Sequence, residues 1–475
     1  MKDTKSSGQV FTPVFLVRNI LDVAGYDASS CLRKHVIDNS CGDGAFLCEI
    51  VKRYCEARLH NGNNLAILKE ELQTYIHGIE VDSDIHRQCL HNLDVLVQGY
   101  GLTDVKWDII NADTLAINDY NGRMDFVVGN PPYVRVHNLQ DNYDYVKTFV
   151  FAEGGMTDLY LVFFEIGFQM LAERGKLCYI TPSSWLSSVA GNRMREHIFQ
   201  KRNLKTLIDL KHFQPFAATT YTIISLFQKE EPSNTFIYGQ YHGDDNVVKY
   251  IAEIDYKNAF IGGNIYLANN NKLNYLNAIL NYRGKNYVAV KNGFATLADK
   301  VFIQHNLPFS KFIIPIIKAS TGKWATAFYP YDDKGNPIAR EQLMADSNIS
   351  DFLSKNKDRL LKGKDEVAFP NWHLYGRTQA LRDVCKDKVS INTCIKDIQS
   401  IKLNPVPAGA GIYSGLYILG DVDINIIRDI ILSSDFISYI SLLRKYKSGG
   451  YYTFSSHELQ NYINYNISKR HGNGK

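Results

Sequence analysis

The 475-residue chain reads as an α/β protein, a Rossmann-like sheet of seven mostly parallel strands followed by a mixed α+β module. Two observations carry this expectation. Over the first 230 residues, short apolar runs alternate with stretches of helical periodicity, the βα rhythm of a parallel sheet. After Lys229-Glu230-Glu231-Pro232-Ser233-Asn234 that rhythm stops, and polar loop material interleaves with short aromatic-rich runs. A domain boundary is placed there, dividing 1–232 from 233–475. Charge follows the same division. Residues 1–230 hold 23 Lys+Arg and 27 Asp+Glu, whereas 231–475 hold 30 and 22. A mildly acidic first half beside a basic second half suits a small-molecule site joined to a polyanion-binding module.

Strands are expected at His35–Asn39, Tyr75–Val81, Val105–Ile110, Met124–Gly129, Lys176–Thr181, Lys205–Leu210 and Thr222–Gln228. Helices are expected at Val14–Val23, Gly44–Tyr54, Ser83–Leu96 and Asp158–Arg174. No apolar run reaches the length of a membrane span, and the first residues, Met1 to Gly8, lack an apolar signal region. A cytoplasmic protein without a membrane partner is expected. Eight cysteines lie at 31, 41, 48, 55, 89, 178, 385 and 394 without a C-x-x-C pair, so reduced thiols and no metal site are expected.

Val36-Ile37-Asp38-Asn39-Ser40-Cys41-Gly42-Asp43-Gly44-Ala45 reads as a strand, a tight small-residue loop and a helix start. Gly42 and Gly44 permit a sharp turn and close approach of a ligand. The helix N-terminus then meets that ligand with unpaired N–H groups. The spacing lacks the G-x-G-x-x-G of dinucleotide sites, and a purely structural turn reads the same way. Glu80, in Gly78-Ile79-Glu80-Val81-Asp82, ends the second strand, where a carboxylate accepts from both hydroxyls of a ribose. A solvated acid in the next helix's first turn is the plainer alternative, with Asp82 or Ser83 as the cap. Asp113, in Asn111-Ala112-Asp113-Thr114-Leu115, either accepts from an adenine amino group or forms a turn. Gly8-Gln9-Val10-Phe11-Thr12-Pro13 leads into a helix with Pro13 at its first turn.

Asn130-Pro131-Pro132-Tyr133 closes the run Met124–Gly129, at the carboxyl end of a buried strand, where open α/β sheets present ligands to their loops. The two prolines fix φ and remove backbone donors, so the corner offers carbonyl oxygens. Asn130 adds a side-chain oxygen and Tyr133 an aromatic face. An amino group on a planar ring can donate to Asn130 and to the Pro131 carbonyl while its ring stacks on Tyr133. An ordinary strand-ending turn also uses Asn-Pro.

In this order the segments resemble the gamma-class DNA adenine-N6 methyltransferases of bacterial restriction–modification systems. The likeness lies in Phe11-Thr12-Pro13, Gly78–Asp82, Ala112-Asp113 and Asn130–Tyr133, and continues through Asp158-Leu159-Tyr160, Thr181-Pro182-Ser183-Ser184-Trp185 and Phe213–Thr222. More loosely it includes Asn292–Asp299, Trp372–Gln379 and Ser448–Phe454. The resemblance implies S-adenosyl-L-methionine as cofactor, held by Phe11, Thr12, Pro13, Asp38, Ser40, Gly42, Gly44, Glu80, Val81, Asp113, Thr114 and Asn130. It implies catalysis by Asn130, Pro131, Pro132 and Tyr133. It further implies double-stranded DNA as partner, a monomer, and a target-recognition domain after the catalytic one. Tyr133 and Phe216 would clamp the base swung out of the duplex; for Phe213 core packing is the expected fate. Lys318, Lys323, Arg377, Gln379 and Arg382, near Trp324, Trp372 and Tyr375, are candidate DNA contacts, each with a solvated surface position as its alternative. The loop departs from the family at Asn39 and Ser40, where many relatives carry Pro and Ala, which leaves their cofactor contacts open.

The chemistry needs no general base before transfer. Two fixed acceptors draw the amine toward tetrahedral geometry and localise its lone pair, so catalysis is positioning and electrostatics. The same tetrapeptide serves enzymes acting on a glutamine amide or guanine N2, and cytosine N4 goes more often with Ser-Pro-Pro-Tyr. A non-catalytic DNA-binding subunit is the rival of another class. A separate restriction endonuclease is compatible with the chain; a fused nuclease is not expected, because few residues precede the first motif and no acidic-x-Lys cluster follows.

Overall fold

The computed structural model describes residues 12–472 except 63, 137–142, 154–156, 217–219, 244–245, 364, 366 and 368. The chain divides into two compact units, Met1–Asn274 and Tyr275–Lys475. The boundary expected at 232 falls inside the first unit. The reason is that the central sheet has nine strands and not seven: β8 (Thr235–His242) pairs parallel with β6 (Leu204–Asp209), and β9 (Val247–Asp255) pairs antiparallel with β8. Strand pairing, not the texture of the sequence, sets the unit's limit.

The other strands are β1 (Val36–Asp38), β2 (Ile76–Glu80), β3 (Asp108–Asn111), β4 (Met124–Gly129), β5 (Leu171–Pro182), β6 (Leu204–Asp209) and β7 (Thr222–Gln228). Their order is β3-β2-β1-β4-β5-β7-β6-β8-β9. The first five are parallel, and β7 runs antiparallel between β5 and β6. Strand order reverses between β1 and β4, and a crevice opens at the carboxyl ends of strands flanking such a reversal. Both the glycine loop after β1 and the Asn-Pro-Pro-Tyr corner after β4 begin there.

The expected helices form, with shifted ends. In α1 (Val14–Ala24), Leu16, Val17, Ile20, Leu21 and Ala24 make one buried stripe, and Gly25 closes the helix in the left-handed region. The helices α2 (Ala45–His60) and α4 (Ser83–Gln98) follow β1 and β2. Asp82 caps α4, accepting from the N–H groups of Asp84 and Ile85. Sequence periodicity did not mark α3 (Leu65–Tyr75), which buries only Leu68, Glu71 and Leu72. After the short α5 (Tyr143–Val146), α6 (Leu159–Met170) stops four residues short of the expected Arg174. There the chain passes straight into β5, whose Leu171 already pairs with Met124. A polar helix, α7 (Asn192–Lys201), follows the turn after β5.

The second unit is mixed α+β, as its texture predicts. Two four-stranded sheets include the strands Ala289–Asn292, Lys388–Ile391 and Leu416–Leu419, and the hairpin Ile313–Lys318 with Lys323–Phe328. It also holds a three-stranded sheet and, among its helices, Ser347–Leu361, Ile424–Ile431, Ser434–Leu442 and Ser456–Gly472. Its core is aromatic, with Phe294, Phe302, Phe328, Tyr329, Trp372 and Tyr375 packed together. Among the described residues no helix is long and apolar enough to cross a membrane, and no group of three His, Cys, Asp or Glu could hold a metal. All eight cysteines are free.

Candidate active site

Gly42 and Gly44 both take positive φ, 55° and 88°. A Cβ on Gly42 would meet nothing within 4 Å, so the loop faces open space; a Cβ on Gly44 would lie 2.8 Å from the Cys89 sulfur. The second glycine is thus required by packing against α4 and the first by the turn. Glu80 anchors the loop. Its buried carboxylate accepts from the Gly42 N–H and the Asp82 N–H, both at 2.9 Å. Neither bond was legible in the sequence, because they join residues 38 positions apart and across a helix start. Val81, the next residue, is 66% exposed, an apolar platform beside a fixed carboxylate.

Asp38 ends β1 and is 1% exposed. Its Oδ1 accepts from the Ser40 N–H at 3.1 Å. Burial pushes its carboxyl up to about 7, opposed by that hydrogen bond and reinforced by the charges of Glu80 and Asp43. Gly129 explains how Asp38 fits. A Cβ there would lie 2.6 Å from Asp38 Oδ1, and its φ of 153° also favours glycine. Gly129 was not singled out from the sequence; its place just before the Asn-Pro-Pro-Tyr corner was the available signal.

The structure resolves the two departures in the loop. The Asn39 side chain is buried, accepting from the Tyr179 hydroxyl at 2.8 Å and lying 3.8 Å from the Met170 sulfur, so it braces β5 and α6. The Ser40 hydroxyl is buried with no hydrogen-bond partner among the described residues. Thr114 also faces inward: its hydroxyl donates to the Asn39 carbonyl at 2.5 Å. Asp113 caps the short helical turn Thr114–Ala116, accepting from the Leu115 N–H.

Asn130 donates from Nδ2 to Thr12 Oγ1 at 3.1 Å. That bond ties the corner after β4 to the Thr-Pro segment 118 positions earlier and sets the sense of the Asn130 amide. Phe11 lies outside the described residues. Pro13 occupies the cap position of α1, not its first turn, and its carbonyl accepts from Leu16 and Val17. Pro131 is buried and Pro132 half-buried. The Tyr133 hydroxyl donates to the Ile180 carbonyl at 3.2 Å, and burial followed by the neighbouring Tyr160 pushes its phenol well above the usual range. Tyr160 and Phe216 stand edge-on to the Tyr133 ring, with centroids 6.3 and 6.2 Å away and both planes at 80°. Phe216 is 8% exposed. Phe213 packs against Phe15 and Tyr241, the core fate expected of it. Residues 217–219 of the Phe213–Thr222 segment lie outside the described residues.

In the second unit, the aromatic candidates divide. Trp372 and Tyr375 are core residues, and the Tyr375 hydroxyl donates to the Phe328 carbonyl. Trp324 is 43% exposed beside the exposed Lys323, which pairs with the half-buried Lys318 across the hairpin. Arg377 and Arg382 are exposed, whereas the Gln379 amide is spent on the Gly293 carbonyl at 2.6 Å.

Residues 51–216 match the sequence profile of the Eco57I restriction-modification methylase family, a span that includes Glu80, Asp113, Asn130–Tyr133 and Phe216. The chain is similar in sequence to restriction–modification DNA methyltransferases. It is 29% identical over 248 residues to the Type II methyltransferase M.BstVI of Geobacillus stearothermophilus, covering 49% of this chain and 44% of that one. It is 24% identical over 483 residues to the Type II restriction enzyme and methyltransferase RM.Eco57I of Escherichia coli, covering 80% and 48%. The chain thus spans less than half the length of these two relatives. Its fold is that of the Type IIL restriction-modification enzyme MmeI, solved in complex with DNA, at a TM-score of 0.60 and 12% identity over 94% of this chain and 65% of that one.

Proposed function

We propose that the chain is a site-specific DNA methyltransferase that moves the methyl of S-adenosyl-L-methionine to N6 of an adenine swung out of double-stranded DNA. The observation that carries this reading is the Asn130–Tyr133 corner, standing at the strand-order reversal beside the glycine loop, with its asparagine held by Thr12.

The residues present fit the cofactor. A loop open in front of Gly42, the orphaned buried Ser40 hydroxyl, the Glu80 carboxylate and the exposed Val81 suit a polar ribose next to a flat ring. Thr12, Pro13, Asp38, Asp113 and Asn130 complete the set, with Phe11 from the resemblance. Thr114 belongs to it by supporting the loop through Asn39. When bound, the cofactor would supply an electrophilic methyl, its sulfonium leaving as a neutral thioether. The Asn130 amide oxygen and the Pro131 carbonyl would accept from the adenine N6 amine and turn its lone pair toward the cofactor side, the proton that N6 sheds on methylation would pass to solvent, and Pro132 stiffens the corner. Tyr133 offers the base its ring face, and Phe216 closes the other side after turning from its edge-on position.

The second unit serves as the target-recognition module, with Lys318, Lys323, Trp324, Arg377 and Arg382 as its candidate contacts. The working state is a monomer in the bacterial cytoplasm, with a separate restriction endonuclease as a compatible partner. Sequencing the DNA of a host expressing this chain, with detection of modified bases, tests the reading. N6-methyladenine at one recurrent sequence is expected; a host genome unmodified, or modified at cytosine alone, overturns it.

A further inference from the structure

The turn between β5 and α7 is built more rigidly than its exposure requires. Trp185 is fully buried, and the chain then rises through Ser187, Ser188 and Val189 before returning at Gly191. The N–H groups of Ser187 and Ser188 both donate to the Ser184 carbonyl, and that of Asn192 donates to the Val189 carbonyl. The buried Arg195 clamps the turn from beneath. Its Nη1 donates to the carbonyls of Trp185 at 2.8 Å and Ser188 at 2.7 Å, and its Nε to that of Gly263. Burial disfavours its charge, so these carbonyls offset a real desolvation cost. A Cβ on Gly191 would lie 2.3 Å from the Trp185 carbonyl oxygen, so no other residue lets the turn close this tightly.

On this clamped turn Val189 is 86% exposed. A stiff, β-branched apolar side chain carried on a turn fixed from beneath offers apolar area that a partner can bury with little loss of side-chain freedom. Its position says which partner. The turn follows the carboxyl end of β5, the strand paired with β4 through Gly129 and Tyr179, and so rises from the same edge as the Asn130 corner. It is also joined to the base pocket: the Ser184 hydroxyl lies 3.0 Å from that of Tyr160, whose ring stands against Tyr133.

Resting on the function proposed above, we infer that Val189 is a wedge that enters the DNA base stack where the target nucleotide leaves it. An apolar side chain placed in that gap replaces part of the stacking lost on extrusion, and a rigid mount makes the insertion effective.

The test uses the full chain and duplex oligonucleotides bearing the sequence found methylated in the expressing host. In one duplex the target adenine faces thymine; in another it faces an abasic position, so that little pairing holds it. Val189→Ala is expected to lower kcat/KM on the matched duplex on the order of tenfold and to recover to near wild-type on the abasic one, with cofactor affinity and thermal midpoint unchanged. Equal activity of variant and wild type on the matched duplex overturns the wedge, as does an equal deficit on both duplexes. A wild-type protein that methylates neither duplex overturns the functional reading, and the wedge with it.

Discussion

At the amino ends of the central strands, His35, His77 and Asp108 form a closed chain; at the carboxyl ends, Asp38, Glu80 and Asn130 hold an open one. In the first, His35 Nδ1 lies 2.9 Å from His77 Nε2, His77 Nδ1 lies 2.6 Å from Asp108 Oδ2, and the Tyr120 hydroxyl donates to Asp108 Oδ1 at 3.1 Å. Side chains there satisfy side chains, and His77 holds the Asp108 carboxyl below its usual range. At the carboxyl ends the partners of Asp38 and Glu80 are backbone N–H groups of the loops themselves, and burial drives the Asp38 carboxyl up. Both ends of the same sheet engage polar side chains in hydrogen bonds. Polar burial alone therefore does not mark a site. What marks it is polar groups spent on shaping loops at a crevice, with a charge left uncomfortable.

The widest separation of the two ends comes from Asn130→Ala. Methyl transfer is expected to fall roughly 10²–10³-fold or more while cofactor still binds, as read by single-turnover transfer and by calorimetric titration. Turnover within a few-fold of wild type would erase the contrast. Glu80→Ala should weaken cofactor binding by roughly 10- to 100-fold, since the N–H groups of Gly42 and Asp82 lose their acceptor and the loop loses its anchor. Affinity unchanged in titration would leave Glu80 without a part in cofactor binding.

His77→Leu makes the opposite demand. Denaturant unfolding should show a loss of about 1–3 kcal/mol, because His35 and Asp108 each lose a partner, with cofactor affinity intact. If affinity falls in step with stability, the two ends are not separable. The last test concerns pH. A carboxyl raised to about 7 in the folded chain binds more protons there than in the unfolded one, so its contribution to stability is present in acid and lost as pH rises from about 4 through 7. Asp38→Asn removes that dependence. Its thermal midpoint relative to wild type should therefore be higher at pH 8 than at pH 5; a difference independent of pH would mean that Asp38 titrates normally.

Legibility followed the range of the interaction. Met124–Gly129 and Thr222–Gln228 form where their apolar runs predict, and Asp82 caps α4, because a continuous apolar run and a helix cap are local devices. The helix Leu65–Tyr75 is faint in the sequence because its contact with the rest is narrow and partly ionic, Glu71 meeting Arg33 and Arg58. Strands β8 and β9 are not legible in composition, because an added strand is decided by a neighbour's free edge.

The sequence by itself determined the local devices: a proline-stiffened asparagine corner, a glycine loop and an acidic strand end are patterns of backbone freedom and donor type. Only the tertiary structure decided which side chains face the crevice. Asn39 and Thr114 turn inward to brace the loop, Trp372 and Tyr375 enter the core, and Thr12 reaches Asn130. The physical reason is that a side chain's fate depends on partners brought close by strand order, and strand order is set by pairing energies summed over residues far apart in the chain.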